Sequence, residues 1–251
     1  MKVKNILVSQ PQPENGKSPY LDIAEKYNVK VNFRPFIKVD PISSKEFRAQ
    51  KVTMAGHSAI VFTSRVGIDH FFRLAKELRF PISDDLHYFC ISEAVALYLQ
   101  KYINYRKRKV FFGAGNKLVD LFTVMNKHAK ETFLVVLPDN DNDDVLEMIK
   151  KNEKLNCEVG LMYRTVSNDF APDEPFNYDM LLFFSPQGIA ALKKNFPDFD
   201  QQEIVIGCLG AATAQAAQEA GLRVDIPVPS PQYSSLSVAV DAFLKENHKR
   251  R

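Results

Sequence analysis

Apolar residues in this chain gather in short unbroken runs: Asn5–Val8, Ala59–Phe62, Tyr88–Ile91, Lys109–Phe112, Phe133–Leu137, Met180–Phe184 and Ile204–Ile206. Runs of this length suit strands covered on both faces, the condition of a parallel sheet. Between them the apolar spacing changes to i, i+3, i+4, i+7. Ile68, Phe71, Phe72 and Ala75 follow it, as do Val95, Tyr98, Leu99 and Tyr102, then Leu118, Leu121, Phe122 and Met125, and finally Leu236, Ala239, Val240 and Phe243. Each set marks one face of a helix. Strand followed by helix, repeated along the chain, predicts a doubly wound α/β fold.

The pattern occurs twice. Val61-Phe62-Thr63-Ser64-Arg65-Val66-Gly67-Ile68 and Phe183-Phe184-Ser185-Pro186-Gln187-Gly188-Ile189 share an apolar run, then Ser, two residues, Gly and Ile. Ser64 to Ser185 and Gly67 to Gly188 both span 121 positions. A second strand that turns directly into a helix follows each copy, at Phe89–Ala96 and at Val205–Ala214. Two similar doubly wound parallel-sheet lobes are the economical explanation. Two extended segments flanking the first copy predict a two-stranded β connector, at about 31–39 and 158–166. Residues 40–160 then form an inserted lobe, and 1–38 plus 167–251 a lobe built from both chain ends. Along the second connector strand, alternation sets Val159, Leu161 and Tyr163 on one face and Met162 and Arg164 on the other.

Composition is that of a soluble globular protein. The 251 residues are 45% hydrophobic and 25% charged, enough to bury a core. The net charge of +3 is too weak to argue for nucleic acid, though it suits a local site for an anionic ligand. Cys90, Cys157 and Cys208 are scattered and form no C-x-x-C pair, so they read as free thiols in a reducing compartment. The amino-terminal apolar patch is too short for a signal peptide, and no run approaches the ~20 residues a membrane helix needs. The expected location is cytoplasmic.

Ligands of parallel α/β sheets bind beyond the carboxyl ends of strands, where loops enter helices. Thr63, Ser64, Ser185 and Thr213 fall at such ends. Two readings are open for the serines. A helix amino terminus offers unpaired N–H groups and partial positive charge to a carboxylate or phosphate, and serine also caps those same groups. Matched ends in two facing lobes point to a cleft for a polyanionic ligand. Tyr163 likewise reads as half-buried packing or as a protonated phenol looking into that cleft.

Sharper motifs fail on their details. Gly113-Ala114-Gly115-Asn116-Lys117-Leu118 lacks the third dinucleotide glycine, and no phosphate-loop Lys-Ser/Thr follows. Asp139–Asp144 starts like a calcium loop, but Asp144 replaces the turn glycine and Lys150 the bidentate glutamate. It reads as an acidic approach to a helix carrying Leu146 and Ile149. His57, His70, His87, His128 and His248 show no metal spacing, and His70, beside Phe71 and Phe72, reads as a surface histidine.

Phe62-Thr63-Ser64-x-x-Gly67, Tyr163-Arg164-Thr165, Phe184-Ser185-Pro186-x-Gly188, Ile206-Gly207, Gly210-Ala211-Ala212-Thr213-Ala214 and Ala220-Gly221-Leu222 occur in this order. In order and spacing they resemble the uroporphyrinogen-III synthase family across nearly the whole chain. The resemblance implies two α/β lobes on a two-stranded ladder, and a cofactor-free and metal-free lyase acting on hydroxymethylbilane. Such an enzyme removes water from the linear tetrapyrrole and closes it through a spiro intermediate, with ring D inverted. Tyr163 matches the tyrosine proposed in the family to assist hydroxide departure. The resemblance also implies that Thr63, Ser64, Arg65, Ser185, Gln187, Gly188, Gly210, Ala211, Ala212 and Thr213 bind the substrate's carboxylates, with Arg164 as a nearby cation. A monomer in transient contact with the upstream deaminase is the expected state.

The chain departs from the family pattern at Ser92 and Val95, at Ser9-Gln10-Pro11 and at Ala212. These departures leave a second reading, a non-catalytic two-lobed protein that binds a tetrapyrrole or another polyanion.

Overall fold

The computed structural model describes residues 3–14, 16–140 and 143–249, with His248 and Lys249 described in backbone only. Its contacts divide the chain into two compact units, one running to Lys38 and resuming at Val166, the other Val39–Thr165.

The first unit begins with β1 (Asn5–Val8), α1 (Pro19–Tyr27) and β2 (Lys30–Phe33). Ser18 caps α1 by accepting the Tyr20 N–H at 3.3 Å, Pro19 opens the helix, and Asn28 closes it in the left-handed region at φ 51°. The second unit then runs β3 (Ile37–Pro41), α2 (Ser44–Ala49), β4 (Ala59–Phe62), α3 (Arg65–Glu77), β5 (His87–Cys90), α4 (Glu93–Tyr98) and β6 (Val110–Phe112). It ends with α5 (Leu118–Asn126), β7 (Thr132–Pro138), α6 (Asp143–Lys151) and β8 (Asn156–Ser167), the last reaching across the boundary. The first unit is completed by β9 (Met180–Phe183), α7 (Pro186–Asn195), β10 (Val205–Leu209), α8 (Ala211–Glu219), β11 (Ile226–Val228) and α9 (Leu236–Lys249).

Each unit carries one sheet, in the order β11-β10-β9-β1-β2 in the first and β3-β8-β7-β4-β5-β6 in the second. The first is parallel throughout, and β8-β7-β4-β5-β6 of the second is parallel too. Both wind outward from a central strand pair, β1/β9 and β4/β7. Those pairs are the topological switch points, the places where open α/β sheets bind ligands beyond the carboxyl ends of their strands. Both faces of each sheet are packed, which is why the strands read as unbroken apolar runs. In the second unit Phe62, Phe71 and Met162 fill one face, while Phe89, Phe133 and Leu121 fill the other. The first unit divides in the same way between an Ile6, Leu182, Val240 face and a Phe36, Phe183, Leu192 face. Each such side chain contributes about 1.5–3 kcal/mol relative to exposure.

Three sequence expectations change. The segment expected to be one connector strand at about 31–39 is two strands, β2 and β3, separated by Arg34-Pro35-Phe36. Arg34 still donates its N–H to Val8 O at 3.0 Å, but Pro35 has no N–H to continue the ladder, and Phe36 turns into the first unit's core with no exposed surface. β2 therefore ends as an edge strand of the first sheet, and β3 is the strand beside β8. The helix expected to reach Tyr102 leaves the α form after Tyr98 and tightens into a 3₁₀ turn, Leu99–Lys101. That turn brings Tyr98, Lys101 and Tyr102 together on the Asp69 carboxylate.

The third change concerns Tyr163. Leu137 pairs with Leu161, but Pro138 pairs with Tyr163, so one residue of β8 is bulged out of register. The period of two is reset there. Met162 and Tyr163 join the same core face, while Val159 and Leu161 pack on the opposite one. The expected grouping of Tyr163 with Val159 and Leu161 is thereby corrected.

β8 also outruns its neighbours, and side-chain amides take over where they stop. Gln50 accepts the Leu161 N–H at 3.0 Å and donates to Leu161 O at 2.8 Å, while Asn140 does the same for Thr165 at 3.1 and 2.8 Å. Each pair satisfies a backbone donor and acceptor that would otherwise cost about 1–3 kcal/mol if buried unpaired.

Candidate functional site

The switch point of the second unit is built around Ser64. It leaves β4 in extended geometry (φ −154°, ψ 160°) and caps α3, its Oγ accepting the Gly67 N–H at 3.0 Å. The first unit repeats this at Ser185 (φ −156°, ψ 155°), which caps α7 by accepting the Gly188 N–H at 3.3 Å. The Ser-x-x-Gly spacing is thus a capping spacing, with the serine at N-cap and the glycine at N3.

The two copies then diverge. Ser64 Oγ also meets Tyr163 Oη at 3.0 Å, reaching it because the β8 bulge turns the phenol toward the α3 face. Tyr163 is 6% exposed, and Asp139 donates its N–H to Tyr163 O at 2.7 Å. Burial pushes the phenol pKa up and the Ser64 hydrogen bond opposes it, so the group stays protonated at neutral pH. His70, one turn along α3, stacks on the Tyr163 ring at 5.2 Å and 19°. It is half-buried rather than a surface histidine, because the helix face that carries it covers the bulged strand.

In the first unit, a Cβ placed on Gly188 would lie 3.2 Å from Phe183 Cδ1, 3.8 Å from Ser185 Oγ and 3.9 Å from Ser9 Oγ. Ser9 and Ser185 therefore converge where β1 and β9 part. Gln187 follows in the first turn of α7, half-buried. Gly210, at φ 91°, lies in a region that favours glycine and turns β10 into α8. Ala211 and Ala212 lie exposed in the first turn of α8, and Thr213 is buried at 2%. Ser92, the corresponding N-cap of α4, makes no side-chain cap bond, and Val95 behind it is buried.

The two arginines differ in availability. Arg65 is exposed, its guanidinium 5.5 Å from the Tyr98 ring centre, and among the described residues it makes no ion pair. Thr63 beside it is half-buried at the end of β4. Arg164 is already committed, 2.9 Å from Glu46 Oε1 and 3.3 Å from Asp139 Oδ2. Ser43, by side chain and backbone, and then Arg164 hold the Glu46 carboxyl down at about 2. Arg73, which sequence reasoning passed over, donates to Ile42 O at 2.8 Å, Met162 O at 3.2 Å and His70 Nδ1 at 3.3 Å. No period or motif marks its hold on β8, since the two carbonyls it binds lie 31 and 89 positions away.

No group of His, Cys, Asp and Glu among the described residues is arranged to hold a metal ion. In the acidic segment, Asp141 and Asn142 lie outside the described residues, while Asp143 begins α6. Cys90 and Cys208 are buried and Cys157 half-buried, all unpaired, with burial raising each thiol to about 11 or 12. No helix among the described residues is long and apolar enough to cross a membrane.

Known proteins sharpen this picture. The fold resembles the uroporphyrinogen-III synthetase of Helicobacter pylori, with a TM-score of 0.63 at 14% identity over 97% of this chain and 99% of that one. It also resembles a mutant uroporphyrinogen III synthase of Thermus thermophilus, with a TM-score of 0.55 at 15% identity over 98% and 99%. No curated protein matches the chain in sequence. The family described as Uroporphyrinogen-III synthase HemD matches residues 18–237, which include both capped switch points and β8. The chain therefore belongs to the uroporphyrinogen-III synthase family.

Proposed function

We propose that this chain converts hydroxymethylbilane to uroporphyrinogen III without a cofactor, with Tyr163 assisting the departure of water. The observation that carries this reading is the buried Tyr163 phenol, 3.0 Å from Ser64 Oγ. One lone pair of Ser64 is filled by the Gly67 N–H, and its own proton is free to point at Tyr163 Oη. The phenol proton is then available to the substrate's terminal hydroxyl, which leaves as water. The proton lost from ring D on closure restores the phenol.

The electron-rich pyrroles supply the nucleophile, so the protein's larger task is to fold a flexible chain until the substituted ring-D carbon meets the azafulvene. Eight carboxylates must be held to do so. Thr63, Ser64 and Arg65 in one unit, and Ser185, Gln187, Gly188 and the Gly210–Thr213 turn in the other, are our candidates for them, through hydroxyls, backbone N–H groups and one unpaired cation. We read the enzyme as a cytoplasmic monomer that takes its unstable substrate from the upstream deaminase.

The test is to generate hydroxymethylbilane with that deaminase, add this protein, and separate the oxidised isomers. A predominance of type III is expected. Spontaneous closure gives type I, so a product that stays all type I leaves only a non-catalytic binding protein.

A further inference from the structure

We propose that His70, oriented by Arg73, is a positioning residue for Tyr163. The inference rests on the reading of Tyr163 as the proton donor. A tyrosine hydroxyl is aimed only as well as its ring is held, and Ser64 touches the ring at its tip alone. The His70 ring covers the Tyr163 face at 5.2 Å and 19°, a near-parallel stack that limits tilting of the phenol.

His70 is itself fixed. Arg73 Nε donates to His70 Nδ1, which must be an acceptor, so the proton sits on Nε2 and the ring is neutral. The same guanidinium donates through Nη2 to Met162 O, the carbonyl immediately before Tyr163, and to Ile42 O, and through Nη1 to Glu77. All three nitrogens are engaged within the protein, the carboxylate among their partners being that of Glu77. One cation thus ties the shelf ring, the strand carrying the phenol and the adjoining strand end into a single geometry. Burial and the Arg73 charge both lower the His70 pKa, against the opposing pull of Asp69, in keeping with a neutral ring.

Steady-state closure to type III separates this role from plain packing. His70→Ala is expected to lower kcat by ~10-fold with KM within about 2-fold of wild type, because substrate contacts are untouched. His70→Phe, which keeps a flat ring, should recover most of that loss. In a Tyr163→Phe background the same alanine substitution should cost under about 2-fold, since a residue acting through the hydroxyl has nothing left to position. An unchanged kcat for His70→Ala beside a slow Tyr163→Phe overturns the His70 role alone, as does an equal loss in both backgrounds. A wild-type rate for Tyr163→Phe overturns the proton-donor reading instead. Should His70→Ala not fold, Arg73→Lys decides. It keeps the charge and loses the fork, so a loss confined to kcat supports the proposal, and a loss confined to KM, or none, overturns it.

Discussion

Ser64 Oγ bonds two partners at 3.0 Å, the N–H of Gly67 in its own helix and the hydroxyl of Tyr163, 99 positions away. Its counterpart Ser185 has the cap without the tyrosine. Alanine at either position should cost ~1 kcal/mol of cap energy, which lowers the melting temperature by about 2–4 °C. Their kinetics should part: Ser64→Ala lowers kcat, Ser185→Ala chiefly raises KM. Unchanged kinetics in both variants would mean that both serines only cap.

Tyr163→Phe removes one oxygen and leaves the ring in its stack. Closure to type III should slow by ~10-fold or more, a barrier increase of at least ~1.4 kcal/mol. The melting temperature should shift little, because the lost partner is a hydroxyl on a residue that keeps its cap bond. Isomer separation over a time course, paired with thermal unfolding, measures both. A normal rate would make Tyr163 a packing residue.

The repeated glycines are not equivalent. A Cβ on Gly67 meets nothing nearer than 3.5 Å, whereas one on Gly188 comes within 3.2 Å of Phe183 Cδ1. Gly67→Ala should therefore be neutral or stabilising by up to ~1 kcal/mol, the helix-propensity difference. Gly188→Ala needs the Phe183 ring to give way by a few tenths of an ångström and should lower the unfolding free energy by about 1–3 kcal/mol. Urea titrations of the two variants rank them, and the reverse order would contradict the packing.

His70 also predicts a pH dependence. Its folded pKa lies below the ordinary 6.5, through burial first and the Arg73 charge second, with Asp69 opposing. As pH falls below 6.5, the unfolded chain takes up a proton that the folded chain refuses, so stability is full above that value and declines toward the depressed one. Asp69 acts in a separate window. Burial would raise its carboxyl, but Tyr102, Lys101 and Tyr98 outweigh it and lower the pKa, so that contribution is lost only below the ordinary 3.8. Unfolding midpoints between about pH 7 and 5 should fall in the wild type and less steeply in His70→Phe. Parallel slopes would take His70 out of the titration.

The central strands were legible because they are buried on both faces, so a run such as Ala59–Phe62 or Met180–Phe183 needs no context to be read. Capping was legible too, since Ser, Gly and their spacing lie within one turn. The face occupied by Tyr163 was not. It depends on Pro138 of the neighbouring strand, 25 positions away, which shifts the register that alternation assumes. The break in the 31–39 segment was missed although Pro35 marks it, because the apolar pattern continues through Phe36. His70 was misread for a related reason: its neighbours Phe71 and Phe72 describe the helix's own stripe, while the ring that His70 covers belongs to β8.

Gln50 and Asn140 give β8 a property beyond satisfied hydrogen bonds. A strand of 12 residues that extends past its neighbours offers a row of backbone groups to any extended segment that passes, whether from another copy or from a partly unfolded chain. The two amides occupy the N–H and C=O of Leu161 and of Thr165 in the way a neighbouring strand would. They act as short, non-propagating strand mimics, so at these two residues the strand that carries Tyr163 presents backbone groups already engaged by side chains that cannot be extended into a further ladder.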